Sequence, residues 1–523
     1  MDTQKTVTFA TVIFLVVLVS IFLGSAVGRE DTLTAIIAVS VLVVVLLFVG
    51  LGEHIWVLVP VFASWSGRIS LLPLPFSVSN LAVGFAVSAW FLAVASRKQK
   101  WNLKADSIDG VLLLTVLLII IGYARNPVGV AAFTSGANVG ARPYFEIGVA
   151  FIGYLMLANQ KPKLSVVEKL PKWALISAIV IGVGGTIAYF APLTGIIMYQ
   201  FYSGFMPNMT ELLDPTAAAP QESIGRASFM RPIAFAGAAF VGACCCPLVV
   251  ILPRRWGLLL LLGIASVAAL VSGFRSAILA VGFYFVFASW LWIRGRGILA
   301  CFMVAFLLLG SVIAIQQIVP LPDRVQRTLS FLPGNWDTRV SDDAANSIDW
   351  RLEMWETVLG GKSIKNWWIG DGFGFAKSEL EYFGYLDRTN AATPEQMAEY
   401  YVITGATHSG PLSAAKYTGL VGMVLFIILA VIVAVRYVKI WNYITRYGES
   451  QRLQMVVGFF AITAAYIPLK FIFVYGAYDV DLPTLILSAG LLKVIETAVR
   501  DHVAEVEEEA EKIEALETVP VLA

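Results

Sequence analysis

Cysteine, histidine and charge are all scarce in this 523-residue sequence, which has four cysteines, three histidines and 14% charged residues. Three of the cysteines are consecutive, from Cys244 to Cys246, so their spacing fits neither a disulfide framework nor a zinc site. The His-Glu-x-x-His motif of zinc hydrolases and the Gly-x-Ser-x-Gly motif of serine hydrolases are both absent. A formal net charge of +1 with no basic stripe gives no sign of nucleic-acid binding. We therefore expect no metal, no cofactor and no nucleic acid as a partner.

Hydrophobic residues, by contrast, make up 58% of the chain, and the mean hydropathy is +0.78. A soluble domain could not hide that much apolar surface in its core. Apolar runs of about 17 to 25 residues recur, and each should form a helix because unpaired backbone groups are costly in hydrocarbon. The sequence therefore predicts an all-α polytopic membrane protein with about 14 transmembrane helices. The predicted spans are 7–27, 33–51, 55–66, 78–96, 108–124, 144–159, 173–192, 232–252, 256–272, 274–293, 298–318, 412–435, 453–475 and 482–498.

The positions of the basic residues predict the orientation of these helices. If the N-terminus is cytoplasmic, five basic clusters all fall on the cytoplasmic side, at 97–104, 161–172, 254–255, 294–296 and 436–452. This agreement requires the short third span to be a real crossing. The first run is longer than the core of a signal peptide, so we expect it to remain as an anchor. The C-terminus is then cytoplasmic as well.

Two outer loops are too long to be simple turns, one near 191–231 and one at 319–411. We expect a bundle of about 11 helices over 1–318, the large outer loop over 319–411, further transmembrane helices over 412–498 and an acidic, helical cytoplasmic tail over 499–523. In the large loop, apolar residues at helical spacing between Asn346 or Ser347, the candidate N-caps, and Gly360 predict an amphipathic helix. The glycine-rich run 370–374 lacks the Lys-Ser/Thr ending of a phosphate loop and predicts a tight turn.

His408 is the histidine that this topology places with the large outer loops, just before the span that starts near Leu412. A neutral imidazole can accept a proton from a hydroxyl near neutral pH, which a general base for transfer to an alcohol must do. The alternative is a polar loop histidine at the membrane interface. The loop carboxylates match no calcium-binding spacing, and a solvated acidic surface explains them better.

Three arginines lie on the same outer side. Arg231 precedes the helix predicted from Pro232, and Arg275 begins the helix predicted from Phe274. A guanidinium at a helix N-terminus adds charge to the positive end of the dipole, an unfavourable arrangement that suggests an anionic partner such as phosphate. Snorkelling to lipid headgroups is the alternative for each of them. Arg351, on the predicted loop helix, either contacts the same anion or pairs with a neighbouring carboxylate.

Taken together, these stretches resemble the O-antigen ligase and polymerase family of bacterial membrane glycosyltransferases, over roughly 226–435. The segments that carry the resemblance are Arg231-Pro232-Ile233-Ala234-Phe235-Ala236-Gly237, Ser272-Gly273-Phe274-Arg275-Ser276-Ala277-Ile278-Leu279-Ala280, and the series Arg351-Leu352-Glu353-Met354-Trp355, Gly370-Asp371-Gly372-Phe373-Gly374, His408-Ser409 and Gly419-Leu420-Val421-Gly422. The chain departs from the family where Ser409 follows the histidine in place of the usual asparagine, and where Phe274 replaces a small polar residue.

The resemblance implies transfer of a glycan from a polyprenyl-diphosphate carrier to an acceptor hydroxyl during surface polysaccharide assembly, as in an O-antigen ligase or a polysaccharide polymerase. It implies that Arg231, Arg275 and Arg351 bind the diphosphate and that His408 is the catalytic base. Direct displacement would invert the anomeric centre without a metal or a cofactor. The implied partners are the lipid-linked glycan donor, a glycan or glycolipid acceptor and membrane lipid, with room for other polysaccharide-assembly proteins. The implied location is the bacterial cytoplasmic (inner) membrane, with the active site facing outward.

The alternative function is a transporter or flippase of lipid-linked oligosaccharide, which would carry charged residues in the middle of its helices. Most spans here have none, and Lys470 and Glu146 are the exceptions. The polar residues gather instead at one face of the membrane, which favours an enzyme.

Overall fold

The computed structural model describes residues 51–70, 76–96, 105–128, 141–205, 226–250, 252–319, 321–360, 363–374, 401, 407–447 and 450–517. Every regular element in these ranges is helical, so the predicted all-α fold is confirmed. The helices of seven residues or more are α1 Val78–Ala95, α2 Ser107–Arg125, α3 Arg142–Ala158, α4 Leu170–Phe190, α5 Pro192–Phe201, α6 Arg231–Cys244, α7 Trp256–Val271, α8 Arg275–Ile293, α9 Gly295–Ile318, α10 Asp323–Leu329, α11 Thr338–Gly360, α12 Gly410–Tyr417, α13 Gly419–Tyr447, α14 Gln451–Phe473 and α15 Tyr478–Glu517.

Eight helices in the described part of the chain are long and apolar enough to cross a membrane, and two shorter apolar helices accompany them. The protein is therefore a multi-pass membrane protein. The first two predicted spans lie outside the described residues except for Leu51. The predicted third span contains the short helices Gly52–Val57 and Leu58–Val61, of six and four residues, whereas a crossing needs about 20. The count of fourteen spans is thus not confirmed.

Two predicted spans are interrupted in the structure. The span predicted at 232–252 ends as a helix at Cys244, because Cys245 is extended and Pro247 starts a short 3-10 turn. The span predicted at 412–435 is divided into α12 and α13 at Gly419, which has a φ of +68°. A left-handed residue cannot continue a helix, and glycine adopts this conformation at little cost. Both breaks place short helical segments next to long ones.

Helix α6 lies at the centre of the bundle and packs against α4, α7, α8 and α14. Its contact faces are made of small residues, among which Ala234, Ala238 and Ala239 are buried. Gly242 approaches α8 so closely that an added Cβ would lie 2.7 Å from the Cβ of Ala288. Small residues let helix backbones come close together, which is how helices pack in a bilayer. The position of Arg231, the first residue of α6, is therefore set by four neighbouring helices.

Ion pairs join three helices near Asp106, the residue just before the first residue of α2. Arg436 of α13 forms ion pairs with Asp106 and with Glu496 of α15. Lys493 of α15 lies 2.6 Å from Asp106 and 3.3 Å from Asp109. Although burial raises it, hydrogen bonds from Lys493 and Arg436 bring the pKa of Asp106 well below its ordinary value. This network fixes the register of α2, α13 and α15 at one end of the bundle.

The last predicted span and the acidic tail form one helix, α15, which continues to Glu517. Its 40 residues extend about 60 Å, which is roughly twice the thickness of the hydrocarbon core. The first part of α15 packs against α3, α13 and α14. The tail therefore leaves the bundle as a continuation of a packed helix.

Candidate functional site

The helix predicted in the large loop is present as α11, but it begins earlier than expected. Its first residue is Thr338, because Asp337 caps it: the backbone N–H of Arg339 donates to the Asp337 carboxylate at 2.9 Å. The expected N-caps, Asn346 and its neighbour, lie inside the helix. Gly360 is the last described residue of the helix, and the stop expected at Gly360/Gly361 lies partly outside the described residues.

Helix α11 also holds the turn that carries His408. The indole N–H of Trp355 donates to the carbonyl oxygen of Thr407 at 2.8 Å. On the other side of His408, the hydroxyl of Ser409 caps α12 by accepting from the backbone N–H of Leu412 at 3.4 Å. The histidine is thus fixed between a cap and a side chain of another helix.

The glycine-rich run 370–374, predicted as a tight turn, contains only a bend at Phe373, and the turn itself lies just before the run at 367–369. The run packs against the junction between α12 and α13. The backbone N–H groups of Asp371 and Gly372 donate to the carbonyl oxygens of Lys416 and Tyr417 at 2.7 and 3.0 Å. The Asp371 carboxylate lies 3.0 Å from the Lys416 ammonium. Gly370 has a φ of +70°, and a side chain there would clash with the backbone of Tyr417. This run is a structural clamp on the helix that follows His408.

His408 itself has a left-handed backbone, with a φ of +50°, and the residue is only partly covered by the rest of the protein. Such a conformation is uncommon outside glycine and persists where the surroundings hold it, often at functional sites. Two aromatic rings lie beside the imidazole: Trp350 of α11 at 6.1 Å and Tyr475 at 6.3 Å between ring centroids. Arg351 lies with them, its guanidinium carbon 4.5 Å from the centre of the Tyr475 ring.

The pKa of His408 is lowered from its ordinary value by partial burial of the ring and by the positive charges of Arg351 and Arg226. The uncharged imidazole is therefore the main form at neutral pH. This is the form that accepts a proton from a hydroxyl.

Arg231 and Arg226 meet at the aromatic ring of Phe274. Their guanidinium carbons lie 4.9 and 5.2 Å from the centre of this ring, and Arg231 also lies 5.6 Å from the ring of Phe235. The Nε of Arg231 is buried and makes no hydrogen bond to any described residue. A buried guanidinium N–H normally has a partner, so this group is suited to an acceptor supplied by a ligand.

Arg275 and Arg327 contact each other's backbone segments. The Arg275 Nε donates to the carbonyl oxygen of Arg327 at 3.5 Å, and a terminal nitrogen of Arg327 donates to the carbonyl oxygen of Gly273 at 3.3 Å. Arg327 is 8% exposed, and its positive charge contributes to lowering the pKa of Arg351 after the larger effect of burial. Like charges are therefore held close together on this side of the protein.

The structure brings all four predicted site residues to one end of the bundle. Arg231 and Arg275 flank the turn that contains Phe274, and Arg351 contacts the ring of Tyr475 beside His408. The charge of Arg226 links the two groups, because this residue lies on Phe274 and also lowers the pKa of His408.

Three further residues of this site were missed from the sequence. Arg226 lies in a loop segment, Arg327 lies in the short helix α10, and Tyr475 lies in the turn between α14 and α15. The one available signal in the sequence was that several arginines fall on the predicted outer side, away from the cytoplasmic basic clusters.

Residues 258–427 match the family model described as O-antigen ligase. This part of the chain is similar to the O-antigen ligase family. The family expected from the motifs is therefore confirmed, and the matched range includes Arg275, Arg351 and His408. A comparison with curated proteins finds no match. The chain is thus a multi-pass membrane protein, and the matched range is similar to proteins of the O-antigen ligase type.

Proposed function

We propose that the protein transfers a glycan from a polyprenyl diphosphate to an acceptor hydroxyl at the outer face of the membrane, as a ligase or a polymerase, with inversion and without a metal. The observation that carries this proposal is the position of Arg231 and Arg275 at the end of an apolar groove, with His408 near enough for the charge of Arg226 to act on both parts of the site. Each part of the donor and of the reaction then has a matching group in the protein.

The groove lies between α4, α6 and α7 and has a volume of about 760 Å³. Its lining is apolar except for one threonine, and it consists of Gly182, Val183, Thr186, Met230, Ile233, Trp256, Leu259, Leu260, Gly263, Ile264, Val267, Ala268 and Val271. The lining follows α7 from Trp256 to Val271, which is about 22 Å of helix. That is most of the roughly 30 Å hydrocarbon core, so an isoprenoid chain fits its length and polarity.

The arginines stand where the diphosphate of such a lipid would lie. Met230 and Ile233 line the groove on either side of Arg231, and Val271 lines it just before the turn that leads to Arg275. An anion placed there would satisfy the buried Nε of Arg231 and relieve the repulsion between neighbouring guanidinium groups. The same contacts would stabilise the charge that develops on the diphosphate as it leaves.

His408 would act as the general base. It takes the proton from the acceptor hydroxyl, whose oxygen forms a bond to the anomeric carbon of the donor. The bond from that carbon to the diphosphate oxygen breaks at the same time, and the diphosphate leaves as an anion held by Arg231 and Arg275. A single displacement of this kind inverts the anomeric configuration. Arg351 lies against the ring of Tyr475, which in turn contacts His408. We assign Arg351 to the part of the site that binds the anion.

Lys470 and Glu146, the charged residues inside predicted spans that a transporter would require, both form ion pairs near helix ends. Lys470, close to the end of α14, lies 2.6 Å from Asp481, and Glu146, in the second turn of α3, lies 3.0 Å from Arg142. Neither pair needs a transported substrate to balance its charge. This supports the enzyme over the flippase.

The test is glycan transfer by the full-length protein in lipid nanodiscs, with extracted polyprenyl-diphosphate-linked glycans as donor and a membrane glycolipid extract as acceptor. His408→Asn is the sharpest variant, because asparagine tolerates the left-handed backbone and removes only the imidazole. We expect His408→Asn and Arg275→Ala to lose transfer by about 10² to 10⁴-fold. Arg339→Ala is the control, since Arg339 forms an exposed pair with Asp323. If His408→Asn and Arg275→Ala both keep the native rate, the proposal is wrong.

A further inference from the structure

We propose that Tyr475 and Trp350 form the subsite for the acceptor sugar, with the pyranose ring lying on their aromatic surfaces beside His408. This inference rests on the proposed function and adds the binding of the acceptor, which the arginines do not explain. It assigns a binding role to two residues outside the segments that carry the family resemblance.

The geometry places these rings where an acceptor must lie. His408 can take a proton only from a hydroxyl within hydrogen-bond distance, so the acceptor sugar has to contact the surroundings of the imidazole. Trp350 and Tyr475 are the aromatic residues whose rings contact His408 in the described part of the chain. Both are inclined to the imidazole, at 66° and 82°, so neither ring is stacked flat on it. The C–H face of a pyranose is apolar and packs against the negative face of an aromatic ring.

Each ring is held in place by a neighbour. The Trp350 ring has Tyr401 against it, edge to face, at 4.6 Å. The guanidinium of Arg351 lies over Tyr475 at 4.5 Å and near Trp350 at 5.8 Å. A rigid aromatic surface loses little side-chain entropy when it binds a sugar.

Tyr475 is also held by its backbone. It is 37% exposed and has a φ of +55°, a conformation that is unfavourable for a bulky residue. The turn that contains it is closed by Asp481, whose carboxylate lies 2.6 Å from the Lys470 ammonium and accepts from the backbone N–H of Ala477 at 2.9 Å. The Asp481 side chain is 3% exposed. This buried ion pair is therefore a positioning device that keeps Tyr475 beside His408.

The chain offers a matched control in Tyr189. This tyrosine is 51% exposed and has the guanidinium of Arg324 at 4.9 Å over its ring, but it lies on α4, away from the rings that contact His408. Replacing it removes the same exposed aromatic group and the same kind of cation–π contact.

The test measures binding of simple sugars by the full-length protein in nanodiscs, using saturation-transfer NMR with the methyl pyranosides of glucose, galactose, mannose and rhamnose. We expect at least one of them to bind the native chain. Its affinity should fall about three- to tenfold in Tyr475→Ala and in Trp350→Ala, and remain close to native in Tyr475→Phe and Tyr189→Ala. In the transfer assay, the acceptor concentration for half-maximal rate should rise by the same factor in Tyr475→Ala, while the dependence on donor concentration stays unchanged.

The inference is wrong if none of these glycosides binds the native chain, or if Tyr475→Ala and Trp350→Ala bind as the native chain does. Its failure can be told apart from failure of the proposed function. If glycosides bind at Tyr475 but His408→Asn transfers glycan normally, the subsite stands and the proposed base does not. If His408→Asn is inactive and Tyr475→Ala is native in both assays, the base stands and the subsite does not.

Discussion

The groove between α4, α6 and α7 gives the sharpest prediction, because a glycine in its wall has room for a side chain. A Cβ added at Gly263 would meet nothing within 4 Å, so Gly263→Leu should fit without strain and occupy the groove. Four added carbons would displace a similar number of isoprenoid carbons, at about 0.8 kcal/mol each, or about 3 kcal/mol in all. Because the lipid can shift along the groove, we expect a donor affinity about 10- to 100-fold weaker.

The assay is the donor-concentration dependence of transfer in nanodiscs, with thermal unfolding measured on the same samples. Gly257→Leu is the control, since Gly257 lies on the same helix, also has open space at its Cβ and does not line the groove. The effect of Gly263→Leu should disappear with donors whose isoprenoid chain is too short to reach Gly263. Measuring both variants with long and short donors tests this. Equal donor dependence in the two leucine variants would refute the assignment of the groove.

Three further predictions concern the base, the packing of the bundle and its charge network. Replacing Arg351 by Met removes one of the positive charges that lower the pKa of His408. The acidic limb of the pH profile of kcat/KM should therefore move to higher pH. If this limb does not move, the charge of Arg351 does not act on the catalytic base. Gly242→Ala should destabilise the protein by about 1 to 3 kcal/mol, seen as a lower Tm with unchanged donor dependence, because the added Cβ would lie 2.7 Å from that of Ala288. The pKa of Asp106 is lowered by its two cationic partners, so its contribution to stability is present above the unfolded-state pKa and is lost as pH falls through the folded value. The Tm of Asp106→Asn should therefore lie below that of the native chain at pH 7, and the two should converge in acid.

The sequence predicted the positions of those candidate site residues that lie at helix boundaries. Arg231 and Arg275 are the first residues of α6 and α8, as expected from the apolar runs that begin beside them. Such boundaries depend on local signals, namely a change from polar to apolar residues and a proline in the first turn. The start of α11 was misplaced because Asp337, an ordinary cap residue, lies well before the apolar repeat that marks the helix.

What could not be predicted depends on contacts between distant segments. Tyr475 is separated from His408 by two long helices, and nothing in a turn sequence says which residue lies opposite it. The break at Gly419 follows from close packing, since a side chain there would clash with the backbone near Trp368. Arg327 was overlooked because its burial and its bond to the Gly273 carbonyl arise from packing of the short helix α10 onto α7 and α8.

The two ends of the bundle use charge in opposite ways. Around Asp106, carboxylates and cations alternate, so their attraction joins helices and leaves little need for a ligand. Around Phe274 and His408, the guanidinium groups lie on aromatic rings and carbonyl oxygens, and their charges act on one another. Cation–π contacts hold an arginine in place without neutralising it, whereas a carboxylate would do both. The buried Nε of Arg231 has no hydrogen-bond partner among the described residues, and we propose an anionic donor as the group that binds it.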